Sequence, residues 1–371
     1  MEHRFAIIGG GTSGHINPAL AIAGTLNDGF AKRGDTCKFI FCGRKDGLEG
    51  ELIPAAGYEF VDIESRPFPT RPSVKLVKAQ ISLARGRRQA IEFLKQFRPE
   101  AVISTGGFVS APLILGAARL GIPVMLHEAN AFPGRANRHL SKGAALVMTG
   151  FPDQESVFSK AKRVVYTGNP VRKIMFGNTY EGAREKLGIP EGKKFVFAMG
   201  GSLGSATITG FILSCARKPE FADVKFVLNC GKHNTVEITD EDRNLPNLDI
   251  REYITDTNLY LAGSDVCILR AGAVTCAEIT ATGACAIMVP YPYAAHDHQT
   301  YNANSIAKRG GGIVVTDEDC GSGKIIPVLT DLLNDDARRE QIRKCAASQA
   351  IPDTDERIFR SIAEALGILD R

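Results

Sequence analysis

One device occurs twice in the chain and limits what it can fold into. Arg4 to Ile8 is a short, mostly apolar run that ends in Gly9-Gly10-Gly11-Thr12-Ser13-Gly14-His15, followed by a helical pattern from Pro18 to Leu26. About 190 residues later, Lys194 to Met199 runs into Gly200-Gly201-Ser202-Leu203-Gly204-Ser205 and a second helical pattern. Strand, Gly-Gly-(Ser/Thr)-x-Gly, helix is the opening of a nucleotide-binding α/β unit, where glycines let the backbone turn sharply and approach a ligand. Two copies predict two similar α/β halves whose parallel sheets face across a cleft, and 371 residues suit two domains of ordinary size. Neither turn carries the Lys-Ser/Thr of a P-loop, and the first lacks the full dinucleotide pattern. No acidic residue follows either turn at about twenty positions in a strand-end context, which disfavours a dehydrogenase.

The densest chemistry lies between Val266 and Asn302. Val266 to Leu269 suits a buried parallel strand. Arg270-Ala271-Gly272-Ala273 breaks it, and Thr275 to Thr282 can start a helix at once, aiming unpaired N–H groups and a positive dipole end at a ligand. Glu278, one turn in, is placed where a carboxylate could accept both hydroxyls of a ribose. A further strand, Cys285 to Val289, leads to Pro290 and the polar loop Ala295-His296-Asp297-His298-Gln299-Thr300, whose groups could reach a sugar. Together these suggest a nucleotide-sugar site, although an ordinary βαβ unit has the same outline.

In the first half, Ala101 to Ser104 ends in a second glycine turn, Thr105-Gly106-Gly107-Phe108, and Pro123 to Leu126 ends in His127-Glu128-Ala129-Asn130. Strand ends of one sheet share a crevice, so His15, Gly106, Gly107, His127 and Glu128 are expected to converge. His127-Glu128 is not a metalloprotease motif, because no second histidine follows three residues on.

Charge is locally concentrated. Ser73 to Arg98 holds Lys75, Lys78, Arg85, Arg87, Arg88, Lys95 and Arg98 against one acid, Glu92, a balance of +6 that leaves −2 for the rest of a chain of net +4. That argues for a docking face and against a nucleic-acid binder. Val74, Val77, Ile81, Ala84, Ile91 and Leu94 recur at helical spacing as an expected core stripe, with Leu76, Leu83 and Phe93 left among the basic residues. Apolar side chains in a cationic face suit an anionic membrane surface, while a solvated helix face is the plainer alternative. The opening MEHRFAIIGGG is expected to be a strand rather than a secretory signal, and no segment is expected to span a bilayer. Nine cysteines without a C-x-x-C pair are expected to be free thiols in a reducing cytoplasm.

GGGTSGHINPALAIA, ISTGGFVSAP, GIPVMLHEAN, GNPVR, GGSLGS, RAGAVTCAE, DHQTYNA and IPDTDER, in this order, closely resemble glycosyltransferase family 28, and within it the bacterial peptidoglycan enzymes that convert lipid I to lipid II. The resemblance implies a GT-B fold of two Rossmann-like domains, an acceptor and membrane-docking domain over 1–168 and a UDP-GlcNAc donor domain over 169–352, with 353–371 crossing back onto the first. It implies UDP-GlcNAc as donor, with Ser202 and the helix start at Ala273, Val274 and Thr275 on the diphosphate and Glu278 on the ribose. Ile254 would read uracil through its backbone, Arg172 would sit near the base, and His298 and Gln299 would read the sugar. Thr12, Ser13, Gly14 and Asn130 would complete the donor site, and Gly106, Gly107 and Phe108 would lie on the acceptor side. The family often has Tyr where Phe108 stands and Gln where Leu203 stands, so each position lacks a polar contact.

The implied reaction is a metal-independent, inverting displacement by the C4 hydroxyl of MurNAc in lipid I, with no cofactor and with His15 or Glu128 as base. A membrane-bound acceptor places such an enzyme on the cytoplasmic face of the inner membrane, with Lys75, Lys78, Arg85, Arg87 and Arg88 toward the lipid. Two alternatives remain open at this point: a GT-B transferase acting on another lipid, such as diacylglycerol, and a UDP-GlcNAc 2-epimerase-like enzyme.

Overall fold

Seven runs of the first half pair into one parallel sheet: β1 Glu2–Gly9, β2 Thr36–Gly43, β3 Glu59–Asp62, β4 Ala101–Gly106, β5 Val124–Glu128, β6 Leu146–Thr149 and β7 Val164–Tyr166, in the order β3-β2-β1-β4-β5-β6-β7. The computed structural model describes every residue except 70, 72, 202, 203, 370 and 371. Strand order reverses about β1, so the crevice between the carboxyl ends of β1 and β4 is the place where such a sheet binds ligands. Both faces are covered, which is why these strands read as continuous apolar runs. Phe5 and Ile7 join a core with α1 (Ser13–Ala31), while Ala6 and Ile8 join the opposite core with Ala90 and Leu94 of α3 (Val74–Phe97) and Leu113 of α4 (Ser110–Leu120). Two short helices, α2 (Leu48–Ala55) and α5 (Arg135–Leu140), complete this half.

The second half repeats the scheme. Its strands are β8 Lys194–Met199, β9 Val224–Asn229, β10 Leu248–Arg251, β11 Val266–Leu269, β12 Ala286–Met288 and β13 Ile313–Val314, all parallel, in the order β10-β9-β8-β11-β12-β13. Here the order reverses about β8, and Met199 lies beside Leu269 at the strand ends. Below these strands Asp265, 2% exposed, accepts hydrogen bonds from the Tyr180 hydroxyl, the Phe195 N–H and the Arg184 guanidinium, with Arg339 3.3 Å away. A buried carboxylate is tolerated only when paired and hydrogen-bonded in this way. The two Rossmann-like halves give the chain a GT-B architecture, and the compact units are Met1–Pro170 with Asp353–Arg371, and Val171–Pro352.

The terminal helix Thr354–Ala365 belongs to the first unit, where Ile358 and Ile362, one turn apart, are fully buried against α1 and the β1 face of the core. Gly29 makes room for it, since a Cβ there would lie 2.2 Å from the Phe359 ring. Arg163 holds the far end through Glu364 at 2.7 Å.

In α3 the observed core face differs from the expected stripe. Ala79, Ser82, Gly86, Ala90, Leu94 and Phe97 are buried, whereas Val74, Val77 and Ile81 are 74%, 56% and 48% exposed. Leu76, Leu83 and Phe93, expected to stand out, are half-buried. Close packing explains the reversal. A Cβ at Gly86 would lie 2.0 Å from the Glu64 carbonyl oxygen and 3.1 Å from Pro112, and one at Gly116 of α4 would lie 3.2 Å from Ala90. Only small residues admit that approach, so Val74, Val77 and Ile81 face outward.

Replacing Ile362 with Ala is expected to cost about 2–4 kcal/mol, read as a lower urea midpoint for the first unit. An unchanged midpoint would show that the terminal helix does not hold this core.

Candidate active site

At the end of β1 the register against β4 shifts, from Ile8 opposite Ser104 to Gly9 opposite Gly106. The shift brings two glycine turns into backbone contact. Gly10 donates its N–H to the Gly106 carbonyl at 3.4 Å, and a Cβ at Gly107 (φ +90°) would lie 2.2 Å from the Gly10 oxygen. Any residue with a side chain would force the turns apart. Thr12 occupies the N-cap position of α1, with Ser13 and Gly14 in its first turn, so His15 emerges beside the Gly106 backbone.

The His15 imidazole is fixed by β4. Its Nδ1 lies 2.9 Å from the Thr105 carbonyl oxygen, and the Thr105 hydroxyl returns a 2.7 Å bond to the His15 carbonyl. A carbonyl partner requires Nδ1 to carry the proton, which leaves the lone pair on Nε2. Burial pulls the His15 pKa below its ordinary value, opposed by the Glu128 charge and by the Thr105 carbonyl. The ring is therefore neutral at pH 7 and able to accept a proton.

Glu128 is committed differently. Only 1% exposed, it accepts from the Asn130 N–H at 3.0 Å and the Asn130 side chain at 3.2 Å through one oxygen. Through the other it accepts from the Gly134 N–H and the Asn137 amide, both at 2.9 Å. Four donors occupy its lone pairs, so it organises the loop ahead of α5. His127 is fully buried, with Nε2 3.4 Å from the Gly168 carbonyl, and burial lowers its pKa. It packs against the Gly168 backbone at the strand end.

Phe108 lies against Gly11, where a Cβ would be 3.3 Å from its ring, and the Arg44 guanidinium sits 5.9 Å from the ring centroid. Sequence reasoning passed over Glu49. Its carboxyl group, 1% exposed, accepts the Gly11 N–H at 3.0 Å and the Arg44 N–H at 3.2 Å. A Cβ at Gly10, Gly43 or Gly47 would lie within 2.8 Å of this side chain. The convergence of these three glycines on one glutamate exists only in the fold, and no local sequence pattern marks it.

In the second unit, Ala273, Val274 and Thr275 open the helix Ala273–Thr282 directly after β11, with Gly272 as N-cap, no side-chain cap and no acid in the first turn. The N-terminal dipole is therefore uncompensated from within. Arg172 donates to the Thr255 carbonyl at 3.0 Å and the Thr257 hydroxyl at 3.1 Å, next to the buried Ile254. Burial lifts the Glu278 carboxyl to about 7, and the nearby Arg172 charge opposes the rise. Arg172, Ile254, Glu278 and the helix start thus share one neighbourhood. Gln299 accepts from the Ala271 N–H at 3.2 Å and the Tyr291 N–H at 2.9 Å, which fixes its amide oxygen inward and turns its NH2 the other way. His298 begins the helix His298–Ala307, after His296 and Asp297 at φ +53° and +57°. Ser202 and Leu203 lie outside the described residues.

Arg270, 8% exposed, was also passed over. It donates to the Val289 and Pro290 carbonyls at 3.1 and 3.2 Å and to the Ser205 hydroxyl at 2.7 Å, and pairs with Asp317 at 2.5 Å. Ser205 caps the helix Ala206–Ala216 after the glycine turn that begins at Gly200. One guanidinium thereby ties the helix after that turn to the Val289-Pro290 strand end. Among the described residues no group of three His, Cys, Asp or Glu side chains is placed to hold a metal ion.

The raised Glu278 pKa has a defined sign. Between about pH 4.5 and 7 the unfolded carboxyl gives up its proton while the folded one keeps it, so stability is lost as pH rises through that window. Glu278→Gln is expected to abolish this loss, raising the melting temperature relative to the unaltered protein at about pH 8 and not at about pH 4.5. Parallel melting curves at both pH values would refute the shift.

The chain was compared with known proteins. Residues 5–149 match the glycosyltransferase family 28 N-terminal domain, and residues 195–358 match the family 28 C-terminal domain. A protein of Caldicellulosiruptor saccharolyticus named UDP-N-acetylglucosamine--N-acetylmuramyl-(pentapeptide) pyrophosphoryl-undecaprenol N-acetylglucosamine transferase is 36% identical over 364 residues, covering 97% of each chain. The crystal structure of Acinetobacter baumannii MurG superposes with a TM-score of 0.76 at 26% identity, covering 98% of this chain and 99% of that one. The UDP-GlcNAc 2-epimerase of Neisseria meningitidis, solved with UDP-GlcNAc, shares the fold at TM-score 0.62 and 14% identity, with 98% of this chain and all of that one covered. Matched in both halves and along nearly its whole length, the chain belongs to glycosyltransferase family 28.

Proposed function

We propose that the chain transfers N-acetylglucosamine from UDP-GlcNAc to the C4 hydroxyl of the MurNAc residue of lipid I, forming lipid II. The substrates follow from the name carried by relatives at 36% identity over nearly the full length. The observation that carries the chemistry is the neutral His15, its Nε2 lone pair held at the meeting of two glycine turns. The hydroxyl gives its proton to Nε2 as its oxygen bonds to C1 of the donor sugar. The bond from C1 to the diphosphate oxygen breaks with its electron pair leaving on UDP, and the anomeric centre inverts. The N–H groups and dipole at the start of Ala273–Thr282 offset the developing diphosphate charge, so no metal is required on this reading. Glu278 in its ionised form accepts from the ribose, Ile254 and Arg172 flank the base, and the NH2 of Gln299 with His298 reads the sugar. Ser202 is assigned to the diphosphate by its place in the motif.

Among the described residues no helix is long and apolar enough to cross a membrane. The exposed Val74, Val77 and Ile81, interleaved with Lys75, Lys78, Arg85, Arg87 and Arg88, support docking of α3 on an anionic bilayer, where the acceptor resides.

His15→Ala is expected to lower kcat by about 10²–10⁴-fold with little change in the KM for UDP-GlcNAc. In the unaltered enzyme, activity should fall as pH drops through a value below about 6.5, where the imidazole protonates. The assay is UDP release and disaccharide formation with a short-chain lipid I analogue in EDTA. Near-normal turnover by the alanine variant would exclude His15 as base, and isomerisation of UDP-GlcNAc without acceptor would overturn the transferase assignment.

Exchanging Arg85, Arg87 and Arg88 for Gln is expected to weaken binding to phosphatidylglycerol vesicles by about 100-fold at low salt, at about 1 kcal/mol per charge. Adding salt should shrink the difference. Equal binding by both proteins would remove α3 from the membrane contact.

A further inference from the structure

A pocket of about 770 Å³ opens beyond the carboxyl ends of β2 and β3, lined among others by Arg44, Ser65, Arg66, Lys75 and Lys78. We propose that this pocket binds the diphosphate of the lipid-linked acceptor, an inference that rests on the lipid I reading above.

Position is the first ground. On one side Arg44 stands over Phe108, which packs on Gly11 at the start of the turn that delivers His15. On the other, Lys75 and Lys78 alternate with the exposed Val74 and Val77 at the start of α3. An acceptor with its sugar at His15 and its prenyl chain beside α3 has its diphosphate between the two, where the pocket lies.

Charge is the second. The pocket holds four basic groups against three acids, Asp46, Asp62 and Glu64; Asp46 is taken by Arg44 at 2.9 Å and Asp62 accepts the Lys45 N–H at 2.8 Å. Arg66, Lys75 and Lys78 enter no ion pair among the described residues. The first turn of the 24-residue α3 holds no acid, and its N-cap Ser73 makes no side-chain cap bond. Ser65, 5% exposed, has a hydroxyl with no hydrogen-bond partner among the described residues. Unspent donors and cations around a cavity fit a multiply charged oxyanion.

The third ground is exclusion. The first glycine turn, the obvious alternative cradle, is backed by Glu49, which already takes the Gly11 N–H and lies where a Cβ of Gly10 would be. A carboxylate at that distance repels a phosphate and spends the donor that would bind it. The turn suits a neutral sugar, and the anion is directed to the pocket.

The test uses the full-length enzyme, the Arg66→Ala/Lys78→Ala double variant, and a short-chain acceptor soluble without a bilayer. The expected result is a rise in acceptor KM of about tenfold or more, with the UDP-GlcNAc KM within about twofold. Geranyl diphosphate should compete with the acceptor in the unaltered enzyme and lose most of that effect in the variant. An unchanged acceptor KM with undiminished inhibition would overturn the proposal. So would an unchanged soluble-acceptor KM with lost binding to phosphatidylglycerol vesicles, which would assign the pocket to a lipid headgroup phosphate. If the unaltered enzyme fails to use the acceptor at all, the lipid I reading fails. Calorimetric binding of geranyl diphosphate to the two proteins then still decides the pocket, equal affinities refuting it.

Discussion

The contact between Gly10 and Gly106-Gly107 sets the geometry of the first unit. Beyond the strand ends two turns meet backbone to backbone, because neither has a Cβ. The one-residue register shift between β1 and β4 produces that meeting. It also brings the first turn of α1 beside Thr105, so that a main-chain carbonyl fixes the tautomer of His15. Basicity at Nε2 is thus a consequence of strand register, with the surrounding burial deciding that the ring stays neutral.

Two glycine devices that read alike in sequence are backed by opposite charges. Behind the first stands Glu49, accepting the Gly11 N–H. Behind the second stands Arg270, joined through Ser205 to the helix that follows the turn and through Val289 and Pro290 to the neighbouring strand end. A buried carboxylate makes its turn a poor host for an anion, while a buried guanidinium adds to the positive field of two helix starts. This difference makes the second turn the better host for an anion, in keeping with the proposed donor site.

The helix α3 shows how packing overrides periodicity. A stripe of Val and Ile at helical spacing ordinarily marks the core face. In α3 the first half of that stripe, Val74, Val77 and Ile81, is exposed because Gly86 and Ala90 let the helix approach α4 and the Glu64 carbonyl more closely than larger side chains would. The apolar stripe left outside is what couples the basic residues to a membrane reading, since charge alone would describe a solvated surface.

The order of strands and glycine turns, the duplication, and the family were legible in the sequence, because turns that need glycine and strands buried on both faces leave local signatures. The candidates His15 and Gln299 stood out in the sequence because each lies at a helix start. What the tertiary structure alone supplies is the set of partners that each of them meets. Glu128, a candidate base in the sequence, is spent on four N–H donors contributed by Asn130, Gly134 and Asn137. Glu49 and Arg270 carry no motif of their own, and their roles arise from partners distant in the chain: Gly11 for one, Ser205 and Asp317 for the other. Local pattern specifies where the backbone turns. Which polar groups remain free to do chemistry depends on which distant groups arrive to satisfy the rest.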